Sequence, residues 1–126
     1  MKFLIIDDNE DLLELCDTFL NSMGHEYTGI NNGIEGLQAI RDEKFDVVLL
    51  DLSMPDFSGT DVMDALVKEG IMNKQKVIIF TATSPAKKEI ELFLEKGAHS
   101  ILKKPVDPDD LSKFIHKLES EKWMLQ

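Results

Sequence analysis

The most informative stretch of this chain is Val47-Val48-Leu49-Leu50-Asp51-Leu52-Ser53-Met54-Pro55. Its first four residues form a continuous apolar run, which is typical of a strand buried on both faces in a parallel sheet. The run leads directly into one carboxylate, and Pro55 and Gly59 indicate a turn after it. Because open α/β sheets bind ligands at the carboxyl ends of their strands, we interpret Asp51 as the principal functional residue.

Outward from this stretch, strand and helix patterns alternate along the whole chain. The predicted strands cover residues 2–6, 25–30, 47–50, 77–80 and 100–102. Each is followed by apolar residues at helical spacing, and the pattern places Leu15 and Leu94 on the buried stripes of the first and fourth helices. Since crossovers between parallel strands are right-handed, this order predicts an α/β fold. The expected architecture is a doubly wound, five-stranded parallel sheet of flavodoxin-like order 2-1-3-4-5, with helices on both faces.

Composition restricts the class of protein. A chain of 126 residues with 43% hydrophobic residues suits one domain over residues 1–126, and we expect no output domain after the last helix. The formal net charge of -10 argues against direct nucleic-acid binding. Cys16 is the single cysteine, so it is expected to be a buried free thiol in a reducing compartment. Without a membrane-length apolar run or a signal peptide, the sequence predicts a cytoplasmic protein with no membrane attachment.

Polar groups follow four of the predicted strands. They are Asp7-Asp8, Asp51, Thr81 and Lys104, and a parallel sheet brings them to one edge. Carboxylates that lie close together either raise a pKa or recruit a cation, and an all-oxygen site suits Mg²⁺. An aspartate can accept a phosphoryl group, for which Lys104 and Thr81 would supply a charge and a hydroxyl donor. Alone, each would indicate only a helix cap, a strand-end hydroxyl or a surface charge, so the prediction depends on their joint placement.

These residues closely resemble the receiver domain of two-component response regulators, the CheY-like family. The resemblance covers nearly the whole chain. Its motifs are the acidic pair after the first strand, the block around the third strand's carboxylate, and the polar residues that follow the fourth and fifth strands. In order they are Asp7-Asp8, Asp51-Leu52-Ser53-Met54-Pro55 with Gly59, Thr81-Ala82, and Gly97-Ala98 leading to Lys104-Pro105.

The resemblance implies a phosphoacceptor in a two-component phosphorelay, which catalyses only its own phosphorylation and dephosphorylation. A histidine kinase or a histidine phosphotransfer protein would donate the phosphoryl group to Asp51. The family's Mg²⁺ would be held by Asp8, Asp51 and the backbone carbonyl of Ser53, with Asp7 acting mainly through water. Lys104, rather than Lys103, would contact the phosphoryl group. The family pattern also gives Gly59 and Pro105 structural roles and makes the Lys104-Pro105 bond cis.

The same resemblance places output to a downstream partner protein on the face formed by the fourth helix, fifth strand and fifth helix. We expect Leu92 to point outward there and Ile101 to lie nearby, so that phosphorylation changes the exposure of both. The family usually carries Tyr or Phe at the position of Ile101, so an aromatic rotamer exchange cannot operate. The alternative is that Ile101 simply packs under the helix and Leu92 has no role.

Two other classes of protein fit this sequence less well. A haloacid-dehalogenase-like phosphatase needs a second aspartate two residues after its nucleophile, and Ser53 stands at that position. A flavin-binding module needs a phosphate-cradling loop after the first strand, where Asp7-Asp8 would repel phosphate. A flavoprotein would also purify yellow, which gives a simple way to discriminate it.

Overall fold

Strands and helices alternate along the chain as the sequence predicts. The computed structural model describes residues 1–82 and 84–124, with side chains up to residue 121. A short 3-10 turn at Met72–Lys74, which the sequence pattern did not predict, precedes the fourth strand. The elements in order are β1 (Lys2–Ile6), α1 (Glu10–Ser22), β2 (Glu26–Ile30), α2 (Gly33–Asp42), β3 (Val47–Leu50), α3 (Gly59–Lys68), β4 (Val77–Thr81), α4 (Lys87–Glu95), β5 (Ser100–Lys103) and α5 (Pro108–Met124).

The five strands form one parallel sheet in the order β2-β1-β3-β4-β5, which confirms the predicted topology. The strands are aligned so that their carboxyl ends are nearly level: Leu50 of β3 lies opposite both Ile6 of β1 and Ile79 of β4. The chain leaves β1, β3 and β4 at the same edge of the sheet. The polar residues at and just after those ends are therefore brought together.

Alternate residues of the central strands contribute to two apolar layers, one on each face of the sheet. β3 is buried along its whole length, as its continuous apolar sequence predicted. One layer lies under α2, α3 and α4, and the other lies under α1 and α5. Their strand residues are Leu4, Ile6, Val48, Leu50, Val77 and Ile79 in the first layer, and Phe3, Ile5, Val47, Leu49, Ile78 and Phe80 in the second.

Two leucines predicted to be buried are instead exposed. In α1 the buried residues are Leu13, Cys16 and Leu20, and Leu15 is 67% exposed because it lies about 200° around the helix from Leu13. In α4 Phe93 takes the inward position, and Leu94 is 45% exposed. The spacing of apolar residues allowed more than one stripe on each helix. The structure selects the narrower stripe.

The charged segment that begins at Glu119 is part of α5, which continues to Met124. Its Glu121 carboxylate lies 2.9 Å from Nε2 of His99 and 3.5 Å from Nζ of Lys76. These contacts attach the end of α5 to the amino-terminal edge of the sheet, opposite the edge where the polar residues gather. Neither α5 nor any other helix in the described part of the chain is long and apolar enough to cross a membrane.

Candidate functional site

Asp51 is the first residue after β3 and lies almost out of contact with water. Its backbone N–H donates to the carbonyl of Ile6 at 3.0 Å, which continues the pairing of β3 with β1. The side chain is buried, and Oδ1 accepts a hydrogen bond from the Ser53 backbone N–H at 3.2 Å. Burial raises the pKa of Asp51 above its usual range, and the charge of Asp7 adds to the effect while Lys104 opposes it. This carboxylate is therefore in a place where a nearby positive charge is strongly favoured.

Two further carboxylates lie beside Asp51. Asp7 directly follows β1, is fully buried, and accepts a hydrogen bond at Oδ1 from the Asn9 backbone N–H at 2.9 Å. Asp8 is exposed. One oxygen from each of Asp7, Asp8 and Asp51 can be chosen so that all three lie within 4.8 Å of one another. Such a set of hard oxygen donors fits a cation of the Mg²⁺ type, with Asp8 open to solvent and to the waters that Mg²⁺ retains.

Lys104 brings a positive charge to these carboxylates. Its backbone N–H donates to the Thr81 carbonyl at 2.8 Å, so β4 fixes the start of its side chain. Its ammonium pairs with Asp7 and lies 3.8 Å from Oδ1 of Asp51. The Lys104-Pro105 peptide bond is cis, which confirms that prediction. Lys103 is exposed at the end of β5, so the geometry agrees with the choice of Lys104.

Thr81 and Gly59 complete the predicted set around Asp51. Thr81 is buried as the last residue of β4 and is tied to Lys104 through its carbonyl. Gly59 begins α3, and its N–H donates to the Leu52 carbonyl at 3.1 Å. A Cβ at position 59 would overlap the backbone carbonyl of Asp51. The absence of a side chain is therefore what lets α3 begin so close to the backbone of Asp51.

The predicted output residues lie apart from this pocket. Leu92 is 47% exposed on α4, as expected. Ile101 is half-buried and packs against the core layer beneath α4. A surface groove of about 540 Å³ between α4 and β5 is lined by Ile101 together with Ile90 and Leu94. In this groove Leu94 takes the place that the sequence analysis gave to Leu92.

Sequence reasoning missed two features of the site. It linked Asp7 to a cation mainly through water, whereas the structure pairs Asp7 directly with Lys104. It also treated Phe80 only as part of a buried run, although the Lys104 ammonium lies over its ring, 5.0 Å from the centroid. Strand register contains the missing signal. Phe80 lies opposite Leu102, and Lys104 follows two residues later, on the same side of the sheet.

Comparison with known proteins agrees with this geometry. Residues 3–116 match the family model for the response regulator receiver domain. The response regulator SaeR of Staphylococcus aureus is 30% identical over 118 residues, which are 91% of this chain and 49% of that protein. Among solved structures, a CheY-like receiver domain protein from Methanospirillum hungatei is 30% identical with a TM-score of 0.81, covering 98% of this chain and 97% of that one. The response regulator TrrA of Thermotoga maritima, in complex with Mg²⁺ and BeF, is 29% identical with a TM-score of 0.77 over 93% of this chain and 97% of that one.

The curated relatives are longer proteins. This chain spans 13% of a sensor protein that it matches and about half of the matching regulators. The matched region nevertheless begins inside β1 and ends inside α5, so it contains the whole sheet except Lys2, and every residue of the acidic pocket. The chain belongs to the response regulator receiver domain family.

Proposed function

We propose that this receiver domain accepts a phosphoryl group on Asp51 and thereby changes its binding to a downstream protein. The observation that carries the proposal is the convergence of three carboxylates and the Lys104 ammonium at the end of β3. The donor is proposed to be a phosphohistidine of a histidine kinase or of a histidine phosphotransfer protein. The presence of regulators and a sensor protein among the relatives supports this choice of donor.

In the proposed transfer, a carboxylate oxygen of Asp51 forms a bond to phosphorus while the bond from phosphorus to the donor's imidazole nitrogen breaks. The electron pair of the broken bond stays on the imidazole, which then takes a proton from solvent. Lys104 is placed to stabilise the negative charge of the phosphoryl oxygens, because its ammonium already lies 3.8 Å from Oδ1 of Asp51. Thr81 is proposed to donate its hydroxyl hydrogen to the same group.

The domain is also proposed to need Mg²⁺. Asp8, Asp51 and the backbone carbonyl of Ser53 would hold it, and Asp7 would act through water. When bound, the ion supplies positive charge that offsets the repulsion between carboxylates and an incoming phosphoryl group. Asp7 itself is engaged by Lys104 and by the Asn9 N–H, which supports giving it the indirect role.

Output is proposed to leave through the surface of α4, β5 and α5. Leu92 and Ile101 remain the candidate residues, and the groove between α4 and β5 adds Leu94 to them. The proposed partner is a protein, since the net charge of -10 does not favour nucleic acid. The proposed location of this exchange is the cytoplasm.

The acceptor residue is tested by mass spectrometry. Incubation with a small phosphodonor and Mg²⁺ should add one phosphoryl mass to the wild type and none to Asp51→Asn, because an amide cannot form the acyl phosphate. Asp46→Asn is the matched control: Asp46 directly precedes β3, at the other end of the strand, and should leave the adduct intact. An unchanged adduct in Asp51→Asn would reject the assignment.

A further inference from the structure

The Lys104 ammonium lies among groups that belong to three different strands. Asp7 follows β1, Asp51 follows β3, and Phe80 is the penultimate residue of β4. The ammonium pairs with Asp7 and lies 3.8 Å from Oδ1 of Asp51, and it also lies over the Phe80 ring, 5.0 Å from the ring centroid. The ring face carries negative charge density, so it attracts a cation without offering a hydrogen bond that would compete with the carboxylates.

Burial makes this contact matter more than it would at an exposed site. Phe80 is buried, and the Lys104 side chain is 17% exposed, so water screens the ring and the ammonium only weakly. The same ring lines an apolar groove of about 320 Å³ between α1 and α5, next to Leu12, Pro105 and Leu111. The lysine stem crosses this apolar surface while its charged end reaches the acidic pocket.

We propose that Phe80 is a positioning residue that holds the Lys104 ammonium at the phosphoryl-accepting site. This inference rests on the proposed function, since it concerns the approach of Lys104 to a phosphoryl group on Asp51. Lysine has a flexible four-carbon stem, and its ammonium is a strongly hydrated point charge. An aliphatic residue at position 80 would keep the apolar wall but lose the attraction of the ring. The ammonium would then spend more time in solvent and less time near Asp51.

The chain contains a matched control for this idea. Lys2 lies over the ring of Phe45, with its Nζ 5.2 Å from the centroid, and Phe45 is buried to a similar degree. Lys2 begins β1 and Phe45 precedes β3, so this pair lies at the opposite edge of the sheet. The same substitution at Phe45 should cost similar packing and should not reach the site.

The test replaces Phe80 in two ways: with leucine, and with a trifluorophenylalanine that keeps the shape of the ring but weakens its negative face. Phosphorylation by acetyl phosphate at saturating Mg²⁺ should slow by about threefold to tenfold in both variants. The corresponding Phe45 variants should react at the wild-type rate. In a Lys104→Met background, fluorination of Phe80 should have no further effect on the rate, or on beryllofluoride affinity where the rate is too slow to measure.

A second measurement needs neither metal nor phosphoryl group. In the metal-free protein, the Lys104 Hε protons should show an upfield ring-current shift by NMR, and the shift should disappear in Phe80→Leu. Wild-type rates in both Phe80 variants would overturn the inference. It would also be overturned if the Phe45 variants slowed phosphorylation as much as the Phe80 variants do, or if fluorination of Phe80 slowed it equally in the Lys104→Met background. If the wild type accepts no phosphoryl group at all, the proposed function fails. If the wild type accepts it and Phe80 is without influence, only the positioning role fails.

Discussion

At the scale of single residues, the main property of the site is negative charge held away from water. Asp7 is fully buried and Asp51 is 5% exposed, and Lys104 balances them only in part. The charged form of Asp51 is consequently less stable in the folded chain than in the unfolded chain, which is why its pKa is raised. The charge of Asp51 therefore lowers the stability of the fold at the residue proposed to accept the phosphoryl group.

This imbalance predicts that Asp51→Asn stabilises the metal-free protein at pH 7. A carboxylate whose pKa is raised on folding binds more protons in the folded state, so its destabilising charge is present above the folded pKa. The cost fades as the pH falls through that pKa and is absent below the unfolded value. The measurement is urea unfolding of both proteins in EDTA at several pH values. The advantage of Asp51→Asn should shrink as the pH is lowered, and a variant less stable than the wild type at pH 7 would contradict the prediction.

At the scale of elements, the start of α3 packs closely against the backbone of Asp51. Gly59→Ala should destabilise the fold by about 1–3 kcal/mol, because the added methyl group overlaps the Asp51 carbonyl and forces the backbone apart. Phosphorylation of the folded variant should also slow. The matched control is Ser58→Ala, which removes the capping box with Asp61 and should cost about 1 kcal/mol while leaving the phosphorylation rate unchanged. Chemical denaturation and the mass assay together separate the two variants, and equal rates in both would refute the role of Gly59.

The second element-level prediction concerns α4. Beryllofluoride with Mg²⁺ should change the NMR shifts of Leu92, Leu94 and Ile101 as well as those of the pocket, because Thr81 at the end of β4 leads directly toward α4. Ile34 on α2 is an exposed aliphatic residue on a helix that does not border this face, and its shifts should not change. Changes confined to the neighbourhood of Asp51 would rule out output through α4.

The strands and helices were easier to predict from the sequence than the residues that each helix buries. The continuous apolar runs of β3 and β4 and the strand-end polar residues determine the sheet and the position of the pocket, since parallel pairing brings strand ends together. The orientations of Leu15 and Leu94 could not be predicted, because each helix carries more apolar residues than its buried stripe holds. Only packing against the sheet determines which apolar residue is buried, and here Leu13 and Phe93 occupy the buried positions.

At the scale of the whole molecule, a bound cation should raise global stability. At a free Mg²⁺ concentration of about 100 times the Kd, binding should add about 2.7 kcal/mol, since the folded state holds the acidic cluster together. Calorimetry should show the largest loss of affinity in Asp8→Ala and Asp51→Ala, and a smaller one in Asp7→Ala. Asp11→Ala is the matched control, because Asp11 is an exposed carboxylate in the first turn of α1 outside the cluster. Equal binding by Asp8→Ala and the wild type would contradict the proposed ligand set.

Contacts between side chains on different strands could not be predicted from sequence patterns. The approach of Lys104 to Asp7 and to Phe80 depends on the relative register of β1, β4 and β5, which no local pattern encodes. The residue types and their strand ends were sufficient to predict that these carboxylates and Lys104 share one pocket. Which side chain pairs with which was settled only by the folded sheet.

The ion pair between Asp7 and Lys104 joins residues 97 positions apart. During synthesis on the ribosome, the carboxylates of Asp7, Asp8 and Asp51 therefore emerge before the ammonium that balances them. A nascent chain that ends before residue 100 carries these carboxylates without this counter-charge and without the fifth strand. Under the proposed function, the pocket is complete only after Lys104 has been synthesised, and a product truncated before that residue should not accept a phosphoryl group.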